Sequence, residues 1–162
     1  MDHAAFTLFI SSIRPKLYRF SLGLLKRHDV AEDVVQEVGL RLWQKSAHPH
    51  LEALAMCTAK NLCIDLLRKK SRQNGYAMET TGFALEQTPH HILENKDMHA
   101  FICNLIDRLP LQQQMCIRLR DVEGYELEEI AQILECDQGS VRTNLSRARK
   151  KIREQITPQW NQ

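Results

Sequence analysis

Apolar residues recur along this chain at intervals of three and four, the repeat of a helix that buries one face. Phe6, Phe9, Ile13, Leu17, Phe20 and Leu24 form the first stripe and predict a helix from about Ala4 to Lys26, which Pro15 would bend or split. Asp29 as N-cap with Glu32 three residues on has the pattern of a capping box. It predicts a second helix to about Lys45, with Val34, Val35, Val38 and Leu42 turned inward. The residues from Ser46 to His50 break the pattern. A long helix follows from Leu51 to Arg72, with Leu54, Leu62 and Leu66 inward and a basic end.

From Gln73 to about Pro89 the periodicity fades, and Gly75, Gly82, Thr80, Thr81, Thr88 and Pro89 mark a loop. Helical pattern returns from Ile92 to Arg108, and Pro110 opens another helix to about Val122. Leu127, Ile130, Ala131 and Leu134 then form one face of a short helix. Glu135, Cys136 and Asp137 make a tight turn, with Asp137 placed as an N-cap. Val141, Leu145, Ala148 and Ile152 give the inner face of a last helix, whose opposite face carries Arg142, Thr143, Ser146, Arg147, Arg149 and Lys150. Two short helices joined by such a turn, the second one basic, describe a helix-turn-helix. The fold class expected is all-α. It has two small helical domains, 1–72 and 92–162, joined by a flexible linker at 73–91, and the C-terminal domain contains the helix-turn-helix.

Composition changes this picture little, because the formal net charge of the 162 residues is only +2. The distribution of charge is more informative. Residues 1–72 hold twelve Lys/Arg against seven Asp/Glu, residues 73–99 one against four, and residues 100–162 nine of each. In the last segment the acids from Asp121 to Asp137 precede a basic run from Arg142 to Arg153. Local basic stripes on a near-neutral chain suit phosphate contact at chosen places. Five cysteines, at 57, 63, 103, 116 and 136, include no CxxC pair, which implies buried free thiols in a reducing cytoplasm. No basic segment precedes the first apolar residues, so no signal peptide is expected, and no apolar run is long enough to insert in a membrane.

The helix-turn-helix sets the chemistry. A recognition helix needs polar side chains in its first turns: arginine pairs two donors with guanine O6 and N7, and Ser or Thr reaches base or phosphate. Arg142, Thr143, Ser146 and Arg147 stand there. Arg149, Lys150, Lys151 and Arg153 come later and suit phosphates, which position the protein without specifying sequence. The basic end of the third helix, Lys60 to Arg72, is similar in kind. A solvated amphipathic helix end is the plain alternative for both segments. A catalytic or metal role would rest on His48, His50, His90, His91 and the cysteines. No pair has zinc spacing and no HExxH, P-loop or nucleophile elbow is present, so no enzyme activity, metal or cofactor is expected. A stand-alone helix-turn-helix regulator remains open on the C-terminal half alone.

Three segments together resemble an extracytoplasmic-function sigma factor of the sigma-70 family: AEDVVQEVGLRLW (Ala31 to Trp43), AKNLCIDLLRKKSR (Ala59 to Arg72) and the stretch from Leu109 to Glu154. The resemblance implies sigma region 2 at 1–72 and sigma region 4 at 92–162. It implies that Glu32, Asp33 and Gln36 meet core RNA polymerase. Asn61, Asp65, Arg68, Lys69, Lys70 and Arg72 would engage the −10 element of promoter DNA, with Ser46 to His50 as the loop beside a pocket for a flipped base. Ser140, Arg142, Thr143, Ser146, Arg147, Arg149 and Lys150 would contact the −35 element. An anti-sigma factor is an expected partner. The sequence departs from the family pattern at Gly39, Leu54 and Thr58, in the short Ser46 to His50 loop, and at Glu135, which stands where a turn glycine is usual.

Overall fold

The computed structural model describes residues 1–74 and 95–160. Most of the expected linker, together with Ile92, His90 and His91, lies outside the described residues. Among the described residues there are seven α-helices, one π-helical turn and no strand. Backbone contacts gather them into two bodies, one of α1, α2, α3 and α6, the other of α4, α5, the π-turn and α7.

In the first body, α1 (His3–Leu25) begins where the Asp2 carboxylate accepts from the Ala5 N–H at 2.7 Å. Pro15 does not split it. The ring forfeits one backbone hydrogen bond, but Ile13 and Leu17 on either side are both buried and hold the two halves in one helix. The helix ends at Lys26, whose left-handed backbone (φ 62°) lets its N–H reach Leu22 O at 2.9 Å. Of the predicted stripe, only Phe9 is less than fully buried.

The expected capping box at the start of α2 (His28–Trp43) is not formed. The residue before the helix is Arg27, and no side chain caps the first turn. Asp29 instead accepts from the Arg27 guanidinium at 2.7 Å, and Glu32 from that of Arg14 at 3.2 Å. The helix starts one residue before Asp29, so Arg27 takes the N-cap position and Asp29 lies inside the first turn. The inner face is as read: Val34, Val35, Val38 and Leu42 are all buried.

In α3 (Leu51–Asn74) the inner face differs from the predicted one. Ala55, Met56, Ala59 and Cys63 are fully buried, whereas Leu54 and Leu62 are half-buried and Leu66 is exposed. The leucines stand one position, about a quarter turn, from the face that α1 and α2 cover. Three of the four residues on that face, Ala55, Ala59 and Cys63, are small, and the leucines flank it. Thr58 bonds back to the Leu54 carbonyl at 2.7 Å.

Gly39, in the middle of α2, has open space where a Cβ would stand. Gly39→Ala is expected to raise stability by about 0.5–1 kcal/mol, because alanine restricts the unfolded chain and fits the helix. Urea denaturation of the two proteins measures this, and a loss of stability would contradict it.

In the second body, α4 (Asn95–Asp107) and α5 (Leu111–Ile117) pack with each other and with α7 (Gln138–Trp160). Pro110 precedes α5 as its N-cap residue. The helix predicted to run to Val122 does not stay α-helical: Arg118–Val122 winds as a π-turn, with the Glu123 N–H reaching Arg118 O at 3.0 Å. Gly124, at φ 80°, releases the chain from it. Arg118 is largely buried. It donates to Asp107 at 2.7 Å and to Gln114 Oε1 at 3.2 Å, and burial lowers its pKa while Asp107 opposes that shift.

The short helix α6 (Leu127–Leu134) buries Ile130, Ala131, Ile133 and Leu134. It closes with the Cys136 N–H bonded to Ala131 O at 3.0 Å, around Glu135 at φ 56°. This is the left-handed helix end at which glycine costs least, and here Glu135 holds that position.

The five cysteines are free, but only Cys63 and Cys116 are buried; Cys57, Cys103 and Cys136 are half-buried. Burial pushes the Cys63 thiol up to about 11, so it stays protonated at neutral pH.

Candidate nucleic-acid interface

The last helix presents two distinct polar faces. Val141, Leu145 and Ala148 are buried and fix its inner side, with Ile152 half-buried below them. At 100° per residue, Thr143, Arg147 and Lys150 fall opposite that core, with Ser140 on the flank beside Arg147. Thr143, Arg147 and Lys150 are exposed and Ser140 is half-exposed. Thr143 and Arg147 make no side-chain hydrogen bond or ion pair among the described residues, which leaves their donors available. Lys150 lies 4.0 Å from Glu154, a weak pairing between two exposed groups.

Arg142, Ser146, Arg149 and Arg153 lie on one flank of the same helix. With Arg120, Leu127 and Leu145 they line an open cleft of about 380 Å³. Arg142 has only a marginal bond to Gln138, at 3.5 Å. Arg120 donates to the Tyr125 carbonyl at 2.8 Å and lies 3.3 Å from Glu126. Arg149 is gripped by Asp121, whose hydrogen bonds raise its pKa. The sequence reading grouped Arg142, Ser146 and Arg149 with the outer residues. It missed Arg120 and Asp121, which come from the π-turn rather than from α7.

On α3, Asn61, Asp65, Arg68, Lys69, Lys70 and Arg72 are all exposed, as a nucleic-acid surface requires. The Asn61 amide lies 3.8 Å from Cys57 Sγ one turn earlier, and its side chain also hydrogen-bonds to the Glu135 carboxylate. The rings of His48 and His50 stand edge to face, 6.3 Å apart, in the loop before this helix.

On α2, Glu32, Asp33 and Gln36 are exposed, as read. They are not equivalent. Glu32 is tied to Arg14, while Asp33 and Gln36 have no side-chain partner among the described residues. The stripe Asp33, Gln36 continues at helical spacing to Leu40, 69% exposed, and Trp43, 44% exposed. Trp43 rests edge-on against Phe6, with ring centroids 5.0 Å apart. The spacing of 33, 36, 40 and 43 carries this signal, although Leu40 alone reads as an ordinary apolar residue.

Among the described residues no three His, Cys, Asp or Glu side chains gather as a metal site, and no helix is long and apolar enough to cross a membrane.

A small helical body bearing a basic recognition helix defines a class of DNA-binding protein, and comparison with known proteins narrows it. Residues 9–73 match the model of sigma-70 region 2 and residues 103–152 that of sigma-70 region 4. The chain belongs to the sigma-70 family, in its extracytoplasmic-function group, and is a sigma factor that directs RNA polymerase to promoters at transcription initiation. It is 28% identical to the ECF RNA polymerase sigma-E factor of Escherichia coli, over 97% of this chain and 89% of the relative. It is 26% identical to the same-named factor of Haemophilus influenzae, over 97% and 90%. Among solved structures it resembles the sigma factor RpoE in complex with the anti-sigma factor NepR from Bartonella quintana. That match has a TM-score of 0.72 at 25% identity, over 94% of this chain and 97% of that one. CnrH in complex with the cytosolic domain of CnrY shares the fold, with a TM-score of 0.71 at 16% identity, over 97% and 90% of the two chains.

Proposed function

We propose that the two tasks of promoter recognition are divided along the chain, with 1–72 engaging polymerase and the −10 element, 73–91 linking, and 92–162 reading the −35 element. The matches at 9–73 and 103–152 support these limits. Asp33 and Gln36, with Glu32 beside them, meet the core enzyme. Asn61 and Asp65 address the −10 bases, and Arg68, Lys69, Lys70 and Arg72 hold the adjoining phosphates. Ser140, Thr143 and Arg147 face the −35 major groove, with Arg142 and Ser146 at its edge and Arg149 and Lys150 on phosphates. The protein acts in the cytoplasm and catalyses no covalent reaction. An anti-sigma factor is its natural inhibitor, as the partners in the related solved structures suggest.

One observation carries the −35 assignment: the outer face of α7 is polar, exposed and unpartnered at Thr143 and Arg147, in the first turns, where a recognition helix touches bases. Run-off transcription with purified core polymerase on a library of promoter fragments tests the whole reading. Specific transcripts are expected only when both components are present. No transcripts, together with no capture of core, would leave a stand-alone DNA-binding regulator.

Asp33→Ala is expected to weaken capture of core polymerase about five- to tenfold, the loss of one exposed polar contact. Binding of the free chain to promoter duplex should not change. Titration of fluorescent core separates the two, and an equal loss in both would place Asp33 outside the polymerase surface.

A further inference from the structure

Arg149 differs from the other α7 residues assigned to promoter DNA, because a carboxylate holds it by two hydrogen bonds. Its Nε donates to Asp121 Oδ2 at 3.2 Å and its Nη2 to Asp121 Oδ1 at 2.7 Å. Two parallel bonds of this kind fix the guanidinium plane as well as its position. The partner is 28 residues upstream and belongs to the π-turn, so the pair joins two separate elements of the second body.

The backbone that carries Asp121 is well anchored. Leu119, two residues before it, is fully buried, and its carbonyl accepts from the Tyr125 N–H at 3.0 Å. The wider winding of a π-turn changes which way successive side chains point. Here it presents Arg120 to the cleft while Asp121 meets Arg149.

Both members of the pair are nearly half exposed, 46% and 44%. Solvent screens such a pair, so it adds little to folding stability. Its geometry has a clearer consequence for binding. Asp121 occupies the Nε and Nη2 edge of the guanidinium, so three N–H donors, two on Nη1 and one on Nη2, are left for a ligand on the other edges. It also cancels the Arg149 charge locally, in a cleft lined as well by Arg120, Arg142 and Arg153.

We propose that Asp121 is a positioning residue for promoter recognition: it holds Arg149 so that its free edge meets one backbone phosphate in one register, and it restrains Arg149 from binding phosphates in others. The inference rests on α7 being the −35 reader. Asp121 thereby raises discrimination without touching DNA itself. An arginine free to swing would add affinity for any duplex, since phosphate contact is independent of sequence.

The test uses the full chain with core polymerase. One duplex carries a promoter found by run-off transcription, and the other the same sequence with its −35 element scrambled. Asp121→Ala is expected to tighten binding to the scrambled duplex and weaken binding to the promoter, lowering their ratio roughly tenfold. Its binding to the scrambled duplex should depend more steeply on salt, by about 0.9 in log–log slope, the value for one added phosphate contact. Asp121→Glu should recover much of the ratio. In an Arg149→Ala background, Asp121→Ala should change neither quantity. A ratio and slope equal to wild type would overturn the proposal. So would parallel loss on both duplexes with a lowered melting temperature, which would make the pair structural. If the wild-type chain itself supports no promoter-dependent transcription, the −35 reading fails first, and that result is distinct from either.

Discussion

Replacing Arg147 by alanine is expected to lower transcription from a cognate promoter roughly 5- to 150-fold, the range for losing one bidentate arginine–base contact. Arg147 stands opposite the buried Val141, Leu145 and Ala148, is exposed, and has no side-chain partner among the described residues. Its removal therefore costs the fold almost nothing, and melting temperature should stay within about 2 °C of wild type. The informative measurement is run-off transcription on promoters changed one base at a time across the −35 element. If Arg147 reads a base, the variant becomes indifferent to substitution at that one position while remaining sensitive elsewhere. A loss of equal size on every −35 sequence would make Arg147 a phosphate contact and leave Thr143 and Ser146 as the readers.

Asp107→Ala should produce the largest loss of stability from a polar residue in the second body. Arg118 and Asp107 are 12% and 17% exposed at the side chain, with 2.7 Å between them. Removing the carboxylate leaves the guanidinium with only the Gln114 amide oxygen, in a site that already disfavours its charge. Breaking a buried pair by deleting one partner costs about 3–5 kcal/mol. Residual exposure places this one near the lower figure, a drop of roughly 10–20 °C in the melting of a small domain. Hydrogen exchange at α5 amides in the full chain would locate the loss in that body. Asp107→Asn should fall between the two proteins, since it keeps an acceptor and loses the charge. A change below about 1 kcal/mol for alanine would mean that water reaches Arg118 freely.

The sequence carried the helices with large apolar stripes. In α1 and α2 nearly every predicted inward residue is buried, because Phe, Leu and Val at three- and four-residue spacing leave one solution. The short α6, its turn and α7 were legible for the same reason. In α3 the rule failed, since Ala55, Ala59 and Cys63 carry a weaker apolar signal than the leucines beside them. The capping box failed because α2 starts at His28 with Arg27 as N-cap, which puts Asp29 inside the first turn; Glu32 meets Arg14, which lies on another helix and is invisible to a local motif. The π-turn has no periodic signature at all. The Asp121–Arg149 pair depends on it, so no reading of either residue's neighbours could have found it. The site residues were recognisable as a basic helix face. Their division into an outer face and a cleft became visible only once the core side of α7 was fixed.

That division bears on how such a protein can change over generations. The outer residues Thr143 and Arg147 have no obligations to the rest of the molecule, so lineages can exchange them without risking the fold. Arg149 is bound to Asp121, and altering either alone disturbs the other. On the proposed −35 reading, promoter preference can drift through single substitutions on one side of the helix, while the phosphate contact of Arg149 changes only together with Asp121.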